Sequence, residues 1–276
     1  MNATSAMKLM VYLFAFAVVI MVGCKKDEPT KNNNNNQNNT SGDCQLLTYS
    51  PIDVPKTYHF RYTNGLLTQI IHVDNNGNPI GYDNFKRNEK GLVTQIDLSK
   101  TNTPTTAQLR IYYFDDRIAK VERYKFDSLT NQLEWWITYE YLYGSRPLPD
   151  KIESTSGQEP WIHKETRKCA YDERNNLLAW GKLVANEDTG YVQRTYDTRK
   201  SPFLGLKLPF IPDLYPSYFW GPNNPSKLNF IGSNDPALKE ATFTYEYNDK
   251  GYPLSYTLTP NYFGVKPKAI YTYDYK

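Results

Sequence analysis

Over most of the chain, aromatic and aliphatic residues alternate with polar ones in short runs, and the runs are separated by Asn, Asp and Gly. The fullest run is Phe243-Thr244-Tyr245-Glu246-Tyr247, followed by Asn248-Asp249-Lys250-Gly251 and Tyr252. Side chains two apart in a strand share a face, so Tyr245 and Tyr247 face one way and Thr244 and Glu246 the other. Asn-Asp-Lys-Gly is turn chemistry, its glycine free to take the positive φ of a bulged hairpin loop. The same grammar runs through Tyr58-His59-Phe60-Arg61-Tyr62 into Gly65-Leu66-Leu67-Thr68-Gln69-Ile70. That hexapeptide recurs 26 residues later as Gly91-Leu92-Val93-Thr94-Gln95-Ile96, after a looser strand from Tyr82 to Phe85. Leu66 and Ile70, four apart, are expected to share a face. Further copies start at Ile111-Tyr112-Tyr113-Phe114, Tyr139-Glu140-Tyr141 and Cys169-Ala170-Tyr171, and the chain closes on Tyr271-Thr272-Tyr273-Asp274-Tyr275.

A repeat of roughly 26 residues holds two strands of ordinary length and two connections. No helical period fits, so the pattern predicts an all-β fold: an antiparallel meander of repeated hairpins forming a large curved sheet, a half-barrel or a soluble barrel. So many strands must curl or close, because flat open sheets of that size are unusual. Lipid-facing strands would need an uninterrupted apolar face. Here His59, Arg61, Thr244 and Glu246 fall on one face and tyrosines on the other, which favours a barrel in water.

The N-terminus follows different rules. The 15-residue apolar run from Leu9 to Gly23 is preceded by Lys8 and ends on Cys24, with Lys25-Lys26-Asp27-Glu28 immediately after. Such a run is too short to span a bilayer. It resembles the bacterial lipobox, with Met21 where leucine is usual, and the resemblance implies that Cys24 is acylated and begins the mature chain. Residues 1–23 are then a lipoprotein signal peptide. Residues 24–43, including the Asn-rich stretch before Asp43, can bury no apolar surface and are expected to act as a disordered tether. Lys26-Asp27-Glu28 resembles the signal that sends Bacteroidetes lipoproteins to the outer face of the outer membrane. The expected location is therefore the outer membrane, lipid-anchored and surface-exposed, with a periplasm-facing anchor as the alternative.

Residues 44–276 form one expected domain. Its repeats resemble the YD-type repeats of Rhs-like proteins, with Tyr171-Asp172 and Tyr273-Asp274 as literal matches. With the lipobox, the chain resembles uncharacterised Bacteroidetes lipoproteins built from such repeats. That family is described as having a porin-like fold, which implies a barrel-like meander and specifies no chemistry. Residues 199–226 break the pattern with a dense set of prolines and aromatics. Proline is excluded from central strands, so this stretch is expected to be an insertion that packs as a plug or cap, with Phe203, Leu206, Leu208 and Phe210 as core.

Composition narrows the function. The chain carries 24 Tyr, 12 Phe and 5 Trp, and its formal net charge of +3 is scattered rather than gathered into a basic stripe. Nucleic acid is therefore not an expected partner. Beyond Cys24 only Cys44 and Cys169 remain, which an oxidising compartment permits to pair. His59, His72 and His163 show no metal-ligand spacing, there is no Gly-x-Ser-x-Gly elbow, and acidic pairs fall on turns. No catalytic residue, metal or cofactor is expected. Trp135 and Trp136, adjacent in a strand, should point to opposite faces. Trp136, Trp161, Trp180, Tyr218 and Trp220 are the candidates for stacking against a ligand such as a sugar ring, with core packing as the competing role for each. Asp127-Ser128-Leu129 resembles the short motif at which Bacteroidetes attach O-glycans, making Ser128 a candidate acceptor. The resulting expectation is a monomeric, surface-anchored binding or interaction module, with glycan or another envelope protein as partner. The alternatives are a carbohydrate-active hydrolase, whose paired carboxylates need no sequence motif, and a structural YD-repeat scaffold.

Overall fold

The structure is a computed structural model describing residues 44–51, 56–101, 103, 105–157, 159–184, 187–212, 214, 221–231, 240–259 and 268–275. Cys24, the Asn-rich stretch, Tyr218 and Trp220 lie outside the described residues. The strands are β1 (Cys44–Ser50), β2 (Thr57–Thr63), β3 (Leu66–Val73), β4 (Pro79–Arg87), β5 (Val93–Lys100), β6 (Thr105–Phe114), β7 (Arg117–Asp127) and β8 (Gln132–Tyr143). They continue as β9 (Pro149–Ser156), β10 (His163–Tyr171), β11 (Leu177–Val184), β12 (Glu187–Lys200), β13 (Asn223–Ile231), β14 (Glu240–Tyr247), β15 (Pro253–Thr259) and β16 (Lys268–Tyr275). All are antiparallel and ordered as in the chain, and β16 pairs back onto β1 to close a barrel. Closure rules out the half-barrel and removes the unpaired edges an open sheet would expose.

At one end, short turns join each even strand to the next odd one, except between β12 and β13. Asn64-Gly65 and Asp115-Asp116 take positive φ at both positions, as tight hairpins require. Elsewhere a side chain builds the turn: Asp172 accepts the backbone N–H of Arg174 and Asn176, and Asn248 accepts those of Lys250 and Tyr252. Asp172, after Tyr171, is thus a turn residue, whereas Asp274, after Tyr273, lies within β16.

At this end every pair of neighbouring strands joined from even to odd, and the closing pair β16–β1, carries the same irregularity. Tyr62 pairs with Leu67 while Arg61 pairs with Gln69, so Thr68 is an extra residue. Equivalent register shifts occur opposite Arg87, Tyr113, Tyr143, Tyr171, Tyr196, Tyr247 and Tyr273. Each bulge turns the strand's inward residues from a two-residue to a three-residue spacing, giving Leu67/Ile70, Val93/Ile96, Pro149/Ile152 and Leu46/Tyr49. The expected pairing of Leu66 with Ile70 is corrected accordingly: Leu67 is 1% exposed and Leu66 lies half-buried at the mouth.

A bulge leaves backbone groups outside the ladder, and the tyrosines satisfy them. The hydroxyl of Tyr62 donates to the carbonyl of Leu46, Tyr113 to Val93, Tyr143 to Ile118, Tyr171 to Pro149, Tyr196 to Leu177, Tyr245 to Pro225 and Tyr273 to Pro253, at 2.6–3.1 Å. Arg87 takes the remaining place and donates to Leu67. The periodic tyrosine is therefore a staple that ties each even strand to the bulge of the strand before it, all around one mouth.

The barrel is mainly apolar inside, with the charged Asp83 and Arg194 also buried there, and polar outside. Ile96, Leu109 and Val121 are fully buried on the inner face, and one cluster joins residues from β1 through β16. The outer face carries Arg61, Thr244 and Glu246, with ion pairs Lys86–Asp97, Lys120–Glu122, Lys227–Glu240 and Lys268–Glu246 at 2.6–3.2 Å. This inverts the arrangement of a membrane barrel, whose outer wall is an apolar band about 25 Å tall.

The connection between β12 and β13 fills the bore. Its base is closed by Ser201 N–H donating to Pro222 O and by pairing of Lys200 with Asn223, so the insertion is residues 201–222 and the flanking residues expected within it are strand. Pro225 sits inside β13, opposite the staple Tyr196 at a bulge, the position where a strand tolerates proline. Leu206 and Ile211 join the core, with Phe203, Leu208 and Phe210 packed against it as expected. The plug meets every side of the ring. Phe203 packs edge-on against Tyr49 of β1 and beside Tyr271 of β16. Arg87 of β4 donates to Leu206 O, Tyr141 of β8 donates to Phe210 O, and the Phe210 ring meets Trp180 of β11. A sixteen-strand barrel otherwise leaves an aqueous channel.

Candidate binding site at the plugged mouth

Where the plug meets the hairpin turns on one side of the stapled mouth, a pocket of about 630 Å³ remains open. The plug supplies its floor through Leu208, Pro209 and Phe210. Its walls come from Leu66, Leu92 and Val93, from the staples Tyr113 and Tyr143, and from Leu148 in the β8–β9 turn. The tyrosine hydroxyls on these walls are already bound to backbone: Tyr113 to Val93, Tyr143 to Ile118, Tyr141 to Phe210. The walls therefore present ring faces and aliphatic carbon. Burial pushes the Tyr113 and Tyr143 phenols up to about 12, so they stay neutral at physiological pH.

The charges sit at the rim. Lys90 pairs with Asp116 at 2.7 Å, Arg117 lies over the Tyr143 ring at 5.0 Å, and Glu89 and Lys207 complete the set. Lys207 holds φ 48°, a left-handed conformation costly for a residue with a Cβ, just after a 3₁₀ turn of the plug, Leu204–Leu206. Glu89 and Asp116 are the acids lining this pocket, and both are solvent-exposed on turns. No group of three or more His, Cys, Asp or Glu among the described residues is placed to hold a metal.

The aromatic residues singled out from the sequence do not converge here. Trp180 is inside the barrel against Phe210, with the Arg167 guanidinium 5.2 Å from its ring centre. Trp136 stands at the opposite mouth under Arg123 and Lys125, while its neighbour Trp135 donates to Thr138 on the outer wall, so the two indoles do part company. Trp161 projects from the β9–β10 connection at that same mouth and is 83% exposed. Ser128 is exposed on the β7–β8 turn, where Asp127 is held below its ordinary pKa by hydrogen bonds from Leu129 and Thr130. Cys169 is a free thiol on the inner face of β10, far around the ring from β1, so the bridge to Cys44 that the sequence permits is not made. Burial pushes its pKa up to about 12. The three histidines are also apart: His59 is on the outer wall, His72 is bonded to Asp83 at 3.0 Å, and His163 is exposed at the start of β10.

The plugged-mouth pocket went unseen from sequence because its residues come from three turns and an insertion with no shared motif. The one available signal was the double departure at Arg87 and Arg117, which replace the repeat's tyrosine and turn glycine.

No family model matches the chain, and no curated protein matches it. Among solved structures it is similar to a porin-like protein from Bacteroides uniformis, with TM-score 0.53 and 12% identity, over 84% of this chain and 98% of that one. A porin-like protein from Bacteroides vulgatus matches with TM-score 0.50 and 11% identity, over 84% and 99%. These likenesses establish the shared fold, a closed antiparallel barrel.

Proposed function

We propose that this protein is a lipid-anchored, non-catalytic barrel of the bacterial outer envelope that presents a binding surface to an extracellular ligand. The observation that carries the reading is the combination of a polar outer wall with a filled bore, which suits a body held beside a membrane rather than a channel through one. The Cys24 lipobox and the envelope bacteria that hold the similar barrels support the location. β1 starts at the stapled mouth, so an N-terminal anchor would leave from that end and the Trp161 rim would face outward. An indole that exposed is an ordinary platform for a sugar ring. The test is a glycan array with the full chain carrying Cys24→Ser, beside the same protein with Trp161→Ala. Binding that disappears in the second protein supports the reading. A silent array favours a second reading, a scaffold without ligand, which the architectural role of every repeated tyrosine also suits.

A further inference from the structure

We propose that the pocket beside the plug binds an anionic amphiphile. An apolar body of the acyl type would lie against the plug and the turns, and a carboxylate or phosphate head would sit among Arg117, Lys207 and Lys90. The volume of about 630 Å³ falls within the range of small-molecule sites, and such sites are mostly apolar with a few placed polar groups. The chemistry of the lining then selects the ligand. A sugar would need hydrogen-bond donors and acceptors along its length, and the wall hydroxyls have already given their only hydrogens to the carbonyls of Val93, Ile118 and Phe210. Carbon is what the walls offer, so carbon is what they should take from water. At the rim, three cations face two acids, and Asp116 is already matched to Lys90. An anionic head therefore completes the charge balance, whereas a cationic head would be repelled by Arg117 and Lys207. The plug holds Lys207 in its left-handed conformation, placing that cation beside the floor residue Leu208.

The inference is independent of the glycan reading, since it concerns the opposite mouth. It is tested by calorimetric titration of the full chain carrying Cys24→Ser with monomeric dodecanoate, dodecanol and dodecyl maltoside, and by flotation with vesicles of an anionic phospholipid. Saturable binding of one dodecanoate, at least about tenfold tighter than either neutral amphiphile, is expected. Leu148→Trp, which fills the pocket, should abolish it. Arg117→Glu with Lys207→Glu, both at exposed positions, should cost about tenfold for dodecanoate and leave dodecanol unchanged. If only vesicles bind, and Leu148→Trp releases them, the source is membrane lipid; if the monomer binds, it is a free amphiphile. Absence of binding in both arms, affinity indifferent to Leu148→Trp, or equal affinity for dodecyl maltoside would overturn the proposal.

Discussion

The two mouths of the barrel are built by different rules. At the stapled mouth each even strand carries near its end a tyrosine, or Arg87, whose side chain caps the bulge of the strand before it. Short turns follow, and the plug enters from this end. At the opposite mouth the described connections differ among themselves: Asp74 to Asn78 forms a tight turn built by the Asp74 side chain, whereas Leu129 is 94% and Trp161 83% exposed, and Arg123 and Lys125 lie over Trp136. The tyrosine staples and the plug thus gather at one end and the most exposed large apolar side chains at the other, the division expected of a frame that displays loops.

Removing the plug should break this division most severely. Replacing residues 202–221 with a short Gly/Ser loop strips Leu206, Leu208, Phe210 and Ile211 from the bore, each worth about 1.5–3 kcal/mol. The total is comparable with the whole stability of an ordinary domain. Urea unfolding should lose its cooperativity. Within the frame, Leu109→Ala removes a side chain with no exposed surface and should cost about 2–5 kcal/mol by the same assay.

A finer comparison sets two adjacent tyrosines against each other. Tyr113→Phe leaves the carbonyl of Val93 without its partner and should cost about 1–3 kcal/mol. Tyr112→Phe loses only an outer-wall bond to Glu122 at an exposed position and should stay within about 0.5 kcal/mol. Equal effects would refute the staple.

Alkaline titration probes the same feature without mutation. An ordinary phenol titrates near 10, whereas Tyr113 and Tyr143 are raised to about 12 in the fold, so the folded protein holds these protons where the unfolded chain loses them. Their contribution is complete below pH 10 and disappears as pH rises towards 12. Melting temperature should be flat up to about pH 10 and then fall as tyrosinate absorbance appears, and Tyr113→Phe should blunt the fall. At the open mouth, Leu129→Ser should change stability by less than about 0.5 kcal/mol.

The same contrast explains what was legible in the sequence. Alternation and turn chemistry were enough for the β-hairpin meander, because strand faces and tight turns are local matters. Bulges were not legible, since Leu66-Leu67 offers two apolar neighbours and only pairing with Tyr62 selects Leu67 for the interior. The pair Tyr196-Asp197 has no turn after it in the sequence, and its staple to Leu177 and the Asp197 contact with Asn224 appear only once β12 is paired with β11 and β13. Phe203, Leu206, Leu208 and Phe210 were readable as core from their apolarity alone. That their segment crosses the bore depends on Arg87, Tyr49, Tyr141 and Trp180, which no local pattern connects. The candidate pocket depends on the same long-range meeting of turns and plug.

The central claim is that the plug and the inward side chains fill the barrel, and the thiol of Cys169 reports on this directly. The measurement is the rate of its modification by a charged, water-soluble disulfide reagent at pH 8, in the full chain carrying Cys24→Ser and Cys44→Ser. A raised pKa and a partly buried place packed against the core predict a much slower reaction in the folded protein than the prompt, stoichiometric reaction once urea unfolds it. Modification of the folded protein at the rate of an unfolded thiol would mean a water-filled bore and would contradict the account.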